Sequence, residues 1–132
     1  ATMGWLASPH LSLPQRPVTP ADLAGLPVIT DARGSRLHRL AMDWFRADGV
    51  EPRRHHGCSS LVTRIHLAEE GLGVALIPPA SAGEALAAGR LRVVDTATPL
   101  RRLDYVIAYA EAGLSPLARV VADEAKAQID AA

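Results

Sequence analysis

The stretch Cys58-Ser59-Ser60-Leu61-Val62-Thr63-Arg64-Ile65-His66-Leu67-Ala68-Glu69-Glu70-Gly71-Leu72-Gly73-Val74-Ala75-Leu76-Ile77-Pro78-Pro79 decides the fold, because it encodes a capped helix, a glycine turn and a buried strand without a gap. Ser59 or Ser60 can accept a hydrogen bond from an orphan N–H of the first turn, so either one serves as the N-cap. Gly71 can take the left-handed conformation that ends a helix. From Gly73 to Ile77 the chain is a short apolar run closed by two prolines. Such a run suits a parallel strand buried on both faces and ending at a sheet edge. A helix that returns into a buried strand is half of a βαβ unit.

The same alternation continues in both directions. Upstream, Trp5-Leu6-Ala7 reads as a strand and residues 8–17 as a proline-containing connector. Thr19-Pro20-Ala21-Asp22-Leu23 supplies an N-cap threonine, a proline at the first helical position and an acid in the first turn; Gly25 stops that helix. Val28-Ile29-Thr30 is the next strand, and residues 31–35 are a loop. Leu37, Leu40, Ala41, Trp44 and Phe45 then fall at i, i+3, i+4, i+7 and i+8, one face of a helix that Gly49 caps. On that stripe Trp44 and Phe45 are core residues. Residues 51–56 read as a polar strand.

Downstream, Ser81-Ala82-Gly83-Glu84 reads as a capping box opening a short helix that Gly89 ends. Residues 91–94 form a further strand, and Leu103, Tyr105, Ile107 and Tyr109 alternate in a longer one. Ser115-Pro116 opens a final helix with Leu117, Val120, Val121, Ala125 and Ile129 on its inner face. Strands alternating with helices predict an α/β fold, a mostly parallel sheet with helices on both faces.

Composition limits the function classes. The chain has 132 residues, 48% of them hydrophobic, enough for one core and too few for two. One α/β domain, or one lobe of a larger one, is expected over residues 1–132. Fourteen Lys and Arg balance fourteen Asp and Glu, so the chain lacks the basic excess that nucleic-acid binding uses. Cys58 is the only cysteine, which excludes an internal disulfide and fits a reducing, cytoplasmic compartment. No run approaches the roughly 20 apolar residues of a membrane helix, and the first residues lack a signal peptide's basic and apolar regions. Ala1-Thr2-Met3-Gly4 leads at once into a strand, so the start is expected to be an excision point or cloning scar.

The wording of the 58–79 block, with its polar cap, amphipathic helix and Gly-x-Gly-x-x-x-x-Pro turn and strand, resembles the ligand-binding domain of LysR-type transcriptional regulators. Trp5 to Pro9 with Thr19 to Gly25, the strand and loop from Pro27 to Ser35, and the weaker Leu86-Ala87-Ala88-Gly89-Arg90-Leu91 extend the resemblance to about residues 4–125. It implies the second of two α/β lobes built like a periplasmic binding protein, with the effector held between lobes. Hinge strands are then expected near residues 4–8 and 103–110, and the helix at 115–130 is expected to pack on a first lobe absent from this chain. The resemblance further implies a dimer, and DNA contact only through an N-terminal winged helix-turn-helix that is also absent. With its partner surfaces missing, the piece is expected to self-associate.

Ligands gather at the carboxyl ends of parallel strands, where loops lead into helix N-termini. Two such loops stand out: residues 31–35 and 57–60. Their free N–H groups and helix dipoles suit a small anionic metabolite. Thr30, Asp31, Arg33, Ser35, Cys58 and Ser59 are the candidate effector-binding residues, and the resemblance places Thr30, Arg33, Ser35, Cys58 and Ser59 near the effector. Arg33 offers a bidentate contact to a carboxylate. Asp31 brings a negative charge into the same loop, so it selects an amine or hydroxyl, or caps the turn. The serines also read simply as N-caps and Arg33 as a solvated residue.

Arg53-Arg54-His55-His56-Gly57-Cys58 invites a metal or thiol-nucleophile reading. Adjacent histidines on a strand point to opposite faces, no second ligand pair has suitable spacing, and there is no G-x-S-x-G elbow. No metal, cofactor or catalytic residue is expected. The alternative function is a lobe of a periplasmic solute-binding protein of a transport system, which shares the two-lobed logic and requires secretion.

Overall fold

In the computed structural model, β1 (Gly4–Ala7), β2 (Pro27–Thr30), β3 (Arg54–Gly57), β4 (Val74–Ile77) and β5 (Arg92–Val93) form one sheet in the order β3-β2-β4-β1-β5. Residues 2–102 and 116–131 are described. They fall into two compact units, Met3–Arg101 and a second that contains the helix Pro116–Ala131. At the heart of the sheet, β2 pairs in parallel with both β3 and β4. β1 runs antiparallel to β4 and to β5. The apolar run of β4 is therefore a central strand, and all four of its residues are buried.

Successive strand side chains point to opposite faces, so both faces need a cover. On one face Trp5 stacks against Trp44 and Phe45 of α2 (Arg36–Arg46), with ring centroids 5.5 and 5.7 Å away. On the other, Leu6, Ile29, Ala75 and Ile77 meet Ala68 of α3 (Leu61–Glu69), Ala82, Leu91, and Ala85 of α4 (Gly83–Ala87). Helices thus lie on both faces, as the alternation of elements predicts.

The helix ends show how local sequence sets local structure. At α1 (Pro20–Ala24) the Thr19 hydroxyl accepts the Asp22 N–H at 3.3 Å, and the Asp22 carboxylate accepts the Thr19 N–H at 2.8 Å. Arg16 reaches the same carboxylate at 2.7 Å. Hydrogen bonds from Arg16 first, then Thr19, hold the Asp22 carboxyl well below the usual carboxylate range. At α3 the cap is Ser60, whose hydroxyl accepts the Thr63 N–H at 3.2 Å. Gly71 ends that helix with φ +77° and leads straight into β4.

One cap departs from the sequence reading. Pro79–Ala82 form a 3-10 turn, and α4 starts behind Ala82 with no side-chain cap. The Ser81 N–H bonds to the Pro78 carbonyl, so Ser81 lies inside that turn. Glu84 instead approaches Arg90 at 3.5 Å. Two prolines nucleate the turn early and leave the box no cap position. The strand expected at Leu103, Tyr105, Ile107 and Tyr109, with the second hinge, lies outside the described residues.

In its own unit, α5 (Pro116–Ala131) carries Val120 and Val121, both expected on an inner face and both exposed, at 63% and 61%. No helix among the described residues is long and apolar enough to cross a membrane.

Candidate functional site

Thr30 and Gly57 are paired at the ends of β2 and β3, so the loops that follow leave the sheet side by side before α2 and α3 begin. The Cys58 N–H donates to the Thr30 carbonyl at 2.9 Å and ties the two exits together. In the first loop the Asp31 carboxylate accepts the Ala32 N–H at 2.7 Å. Ser35 caps α2 through the His38 N–H at 3.1 Å. The Arg39 guanidinium donates to the Gly34 carbonyl at 2.8 Å. In the second loop the Cys58 thiol lies 3.7 Å from the Ser60 carbonyl.

Of the six residues singled out in the sequence, Asp31, Arg33, Ser35, Cys58 and Ser59 lie on these two adjacent loops and are at least partly exposed. Thr30 is different. It is fully buried, and its hydroxyl donates to the Asp31 carbonyl at 3.0 Å while accepting from His55 Nε2 at 2.6 Å. It supports the loop from below. Arg33 is exposed at the loop surface.

The sequence reading missed Arg64, which is only 3% exposed. Its Nη1 donates to the Cys58 carbonyl at 2.6 Å and lies 3.9 Å from Asp31 Oδ1, so the guanidinium sits between the two loops. The available signal was its spacing: Leu61, Arg64, Ile65 and Ala68 fall at i, i+3, i+4 and i+7, the inner stripe of α3.

The histidines are also brought together in an unforeseen way. His38 of α2 packs on His55 of β3, ring centroids 4.8 Å apart, and His38 Nδ1 accepts the Gly34 N–H at 3.1 Å. Burial, reinforced by the His38, Arg33 and His56 charges, pushes His55 below its ordinary value of 6.5. Burial, then Arg33, Arg46 and Arg39, does the same to His38. Native packing therefore favours neutral imidazoles. Their contribution to stability is complete above the unfolded value and is lost as pH falls through the lower folded values. We expect the urea midpoint to fall as the pH is lowered from about 7 to about 5, and His38→Asn to flatten that slope. A midpoint that rises on acidification would contradict this assignment.

Among the described residues no group of three or more His, Cys, Asp or Glu is placed to hold a metal ion. Pockets of 340, 380 and 310 Å³ lie at residues 13–18 with 92–95, at residues 65–69 with 81–90, and at residues 40–47 with 98–101. None of the three is lined by the two loops at the carboxyl ends of β2 and β3.

The family profile of the LysR substrate binding domain matches residues 1–130, almost the whole chain. The chain belongs to this family. It is similar to the C-terminal domains of a LysR family protein from Agrobacterium tumefaciens, with 32% identity and a TM-score of 0.56, covering 74% of this chain and 48% of that one. The AmpR effector binding domain from Citrobacter freundii shares the fold at 21% identity and a TM-score of 0.61, over 100% of this chain and 65% of that one. Full-length LysG from Corynebacterium glutamicum, solved with bound effector Arg, does so at 24% identity and a TM-score of 0.59, over 98% of this chain and 42% of that one. No curated protein sequence matches. The LysR substrate-binding chain therefore spans between two fifths and two thirds of these structures' lengths, with the mixed sheet and two helical layers of the family fold. Membership in this family does not favour the solute-binding alternative.

Proposed function

We propose that this chain is the second lobe of the effector-binding domain of a bacterial LysR-type transcriptional regulator, and that it carries half of the site for a small anionic metabolite. One observation supports this best. Two loops leave the carboxyl ends of adjacent parallel strands together, and each opens a helix whose N-terminal N–H groups and dipole favour an anion. Asp31, Arg33, Ser35, Cys58 and Ser59 meet the effector, with Thr30 supporting the first loop from behind. Residues 4–8 are one hinge strand, and the final helix packs on a first lobe. Effector binding shifts lobe closure and thereby the arrangement of a cytoplasmic dimer whose DNA contacts belong to a winged helix-turn-helix outside this chain. No substrate is turned over.

The test is nuclear magnetic resonance of the labelled chain during titration with a panel of small carboxylates. Amides at residues 31–35 and 57–60 are expected to move. Responses confined to other loops, or sequence-specific duplex binding by this chain alone, would remove the proposal.

A further inference from the structure

Arg64 occupies a position that packing alone would give to an apolar side chain. Its neighbours on the inner stripe of α3 are Leu61, Ile65 and Ala68, and it is more buried than Leu61 and Ile65 and nearly as buried as Ala68. It is the fourth residue of a nine-residue helix, where the positive end of the dipole disfavours a cation. Its pairing is incomplete. Nη1 has the Cys58 carbonyl at 2.6 Å, a neutral acceptor. Among the described residues Asp31 is the one carboxylate in ion-pair range, and at 3.9 Å it makes no hydrogen bond. That same Asp31 oxygen is already bonded to the Ala32 N–H. Arg64 Nε is buried with no partner at all.

A buried guanidinium left half-paired is destabilising, and a methionine would fill the same stripe without that penalty. The charge is therefore unexplained by the fold, yet it lies between the two loops of the proposed site. We infer that Arg64 is the anion-reading residue of that site. The effector's carboxylate enters between residues 31–35 and 58–60, takes a bidentate pair on the guanidinium, and meets the first-turn N–H groups of α3. Arg33, exposed at the loop surface, meets the anion from the solvent side.

Asp31 then sets the second half of the preference. Its side chain is 26% exposed and stands beside the guanidinium, so it repels a second negative charge and accepts a hydrogen bond from a hydroxyl or ammonium group next to the carboxylate. The effector class is a small monocarboxylate bearing a hydroxyl or amino group, not a dicarboxylate. This rests on the reading of the two loops as the effector site, and deepens it.

The experiment uses the full 132-residue chain, labelled with nitrogen-15, and follows the Arg64 Nε–H signal with the loop amides while acetate, lactate or malonate is added. Lactate is expected to move both sets of signals at lower concentration than acetate or malonate. Arg64→Met should weaken the lactate response at least about tenfold, and Arg64→Lys should restore part of it. A tie that merely holds the loops would make Arg64→Met less stable, whereas a charge kept for a ligand leaves its urea midpoint unchanged or raised. If Arg64→Met is destabilised, or if the Arg64 signal stays still in the native chain, the inference is overturned. Loop amides that respond equally in the native chain and Arg64→Met would overturn it while leaving the effector-site reading intact. Responses that avoid both loops would overturn the two together.

Discussion

Gly73→Ala is expected to lower the stability of the chain by about 3 kcal/mol or more, read as a fall in its urea midpoint. A Cβ at Gly73 would lie 2.2 Å from the Pro27 carbonyl oxygen, 2.8 Å from its carbon and 2.9 Å from Pro27 Cβ. No rotamer change relieves this, because two of the three atoms are backbone. That backbone opens β2, which is paired on both sides: Pro27 with Arg54, and Val28 with Val74. Relief would require β4 to withdraw from β2, the pairing that sets the carboxyl ends of the parallel strands in place. Gly83→Ala is the control. Gly83 has helical φ −54° and ψ −43° and nothing within 4 Å of its Cβ position, so alanine should be neutral or stabilising by about 0.5 kcal/mol. Equal effects at the two glycines would show that the close approach of β4 to β2 is not what requires Gly73.

Much of this architecture was legible because it is encoded within a few residues. Thr19, Pro20 and Asp22 specify one helix start, and Gly71 specifies one helix end, with no help from distant parts of the chain. The stripe ending in Trp44 and Phe45 was equally plain, since its period depends on the helix alone. Strand direction was less so. The apolar run of β4 looks the same whether its neighbours run with it or against it, so the antiparallel entry of β1 had no local signature. Adjacent serines at 59 and 60 offered two caps, and only the start of α3 at Leu61 selects the second. The candidate loops were visible as loops that follow a strand and precede a helix. Their chemistry was not fully visible, because it depends on register. His38 and His55 meet only because Val28 pairs with His55 while α2 covers that face. Arg64 sat within a correctly read helix, but its burial follows from how α3 packs and cannot be read from its charge.

Trp5→Ala should cost about 4 kcal/mol, a large part of the stability of a small domain. Trp5 is fully buried in β1 and holds Trp44 and Phe45 against the sheet; those two rings lie 5.1 Å apart, edge on. The cost of such a truncation depends on whether neighbours can close the gap. Here they are restrained. The Trp44 indole N–H donates to the Thr98 carbonyl at 2.9 Å, so moving into the cavity would break that bond. Trp5 itself has a buried indole N–H without a partner, so part of its packing gain is already offset. Trp5→Phe removes the orphan donor and keeps an aromatic ring, and should lose only about 1 kcal/mol. Urea midpoints of the two variants separate ring packing from the polar penalty. Hydrogen exchange at residues 36–46 then links core to site: because α2 rests on Trp5 and begins at the candidate loop, Trp5→Ala should speed exchange along the whole helix. If exchange quickens only near Trp44 and Phe45, the ring cluster holds the middle of α2 while Ser35 and Arg39 hold its N-terminus independently, and core and loop are not coupled.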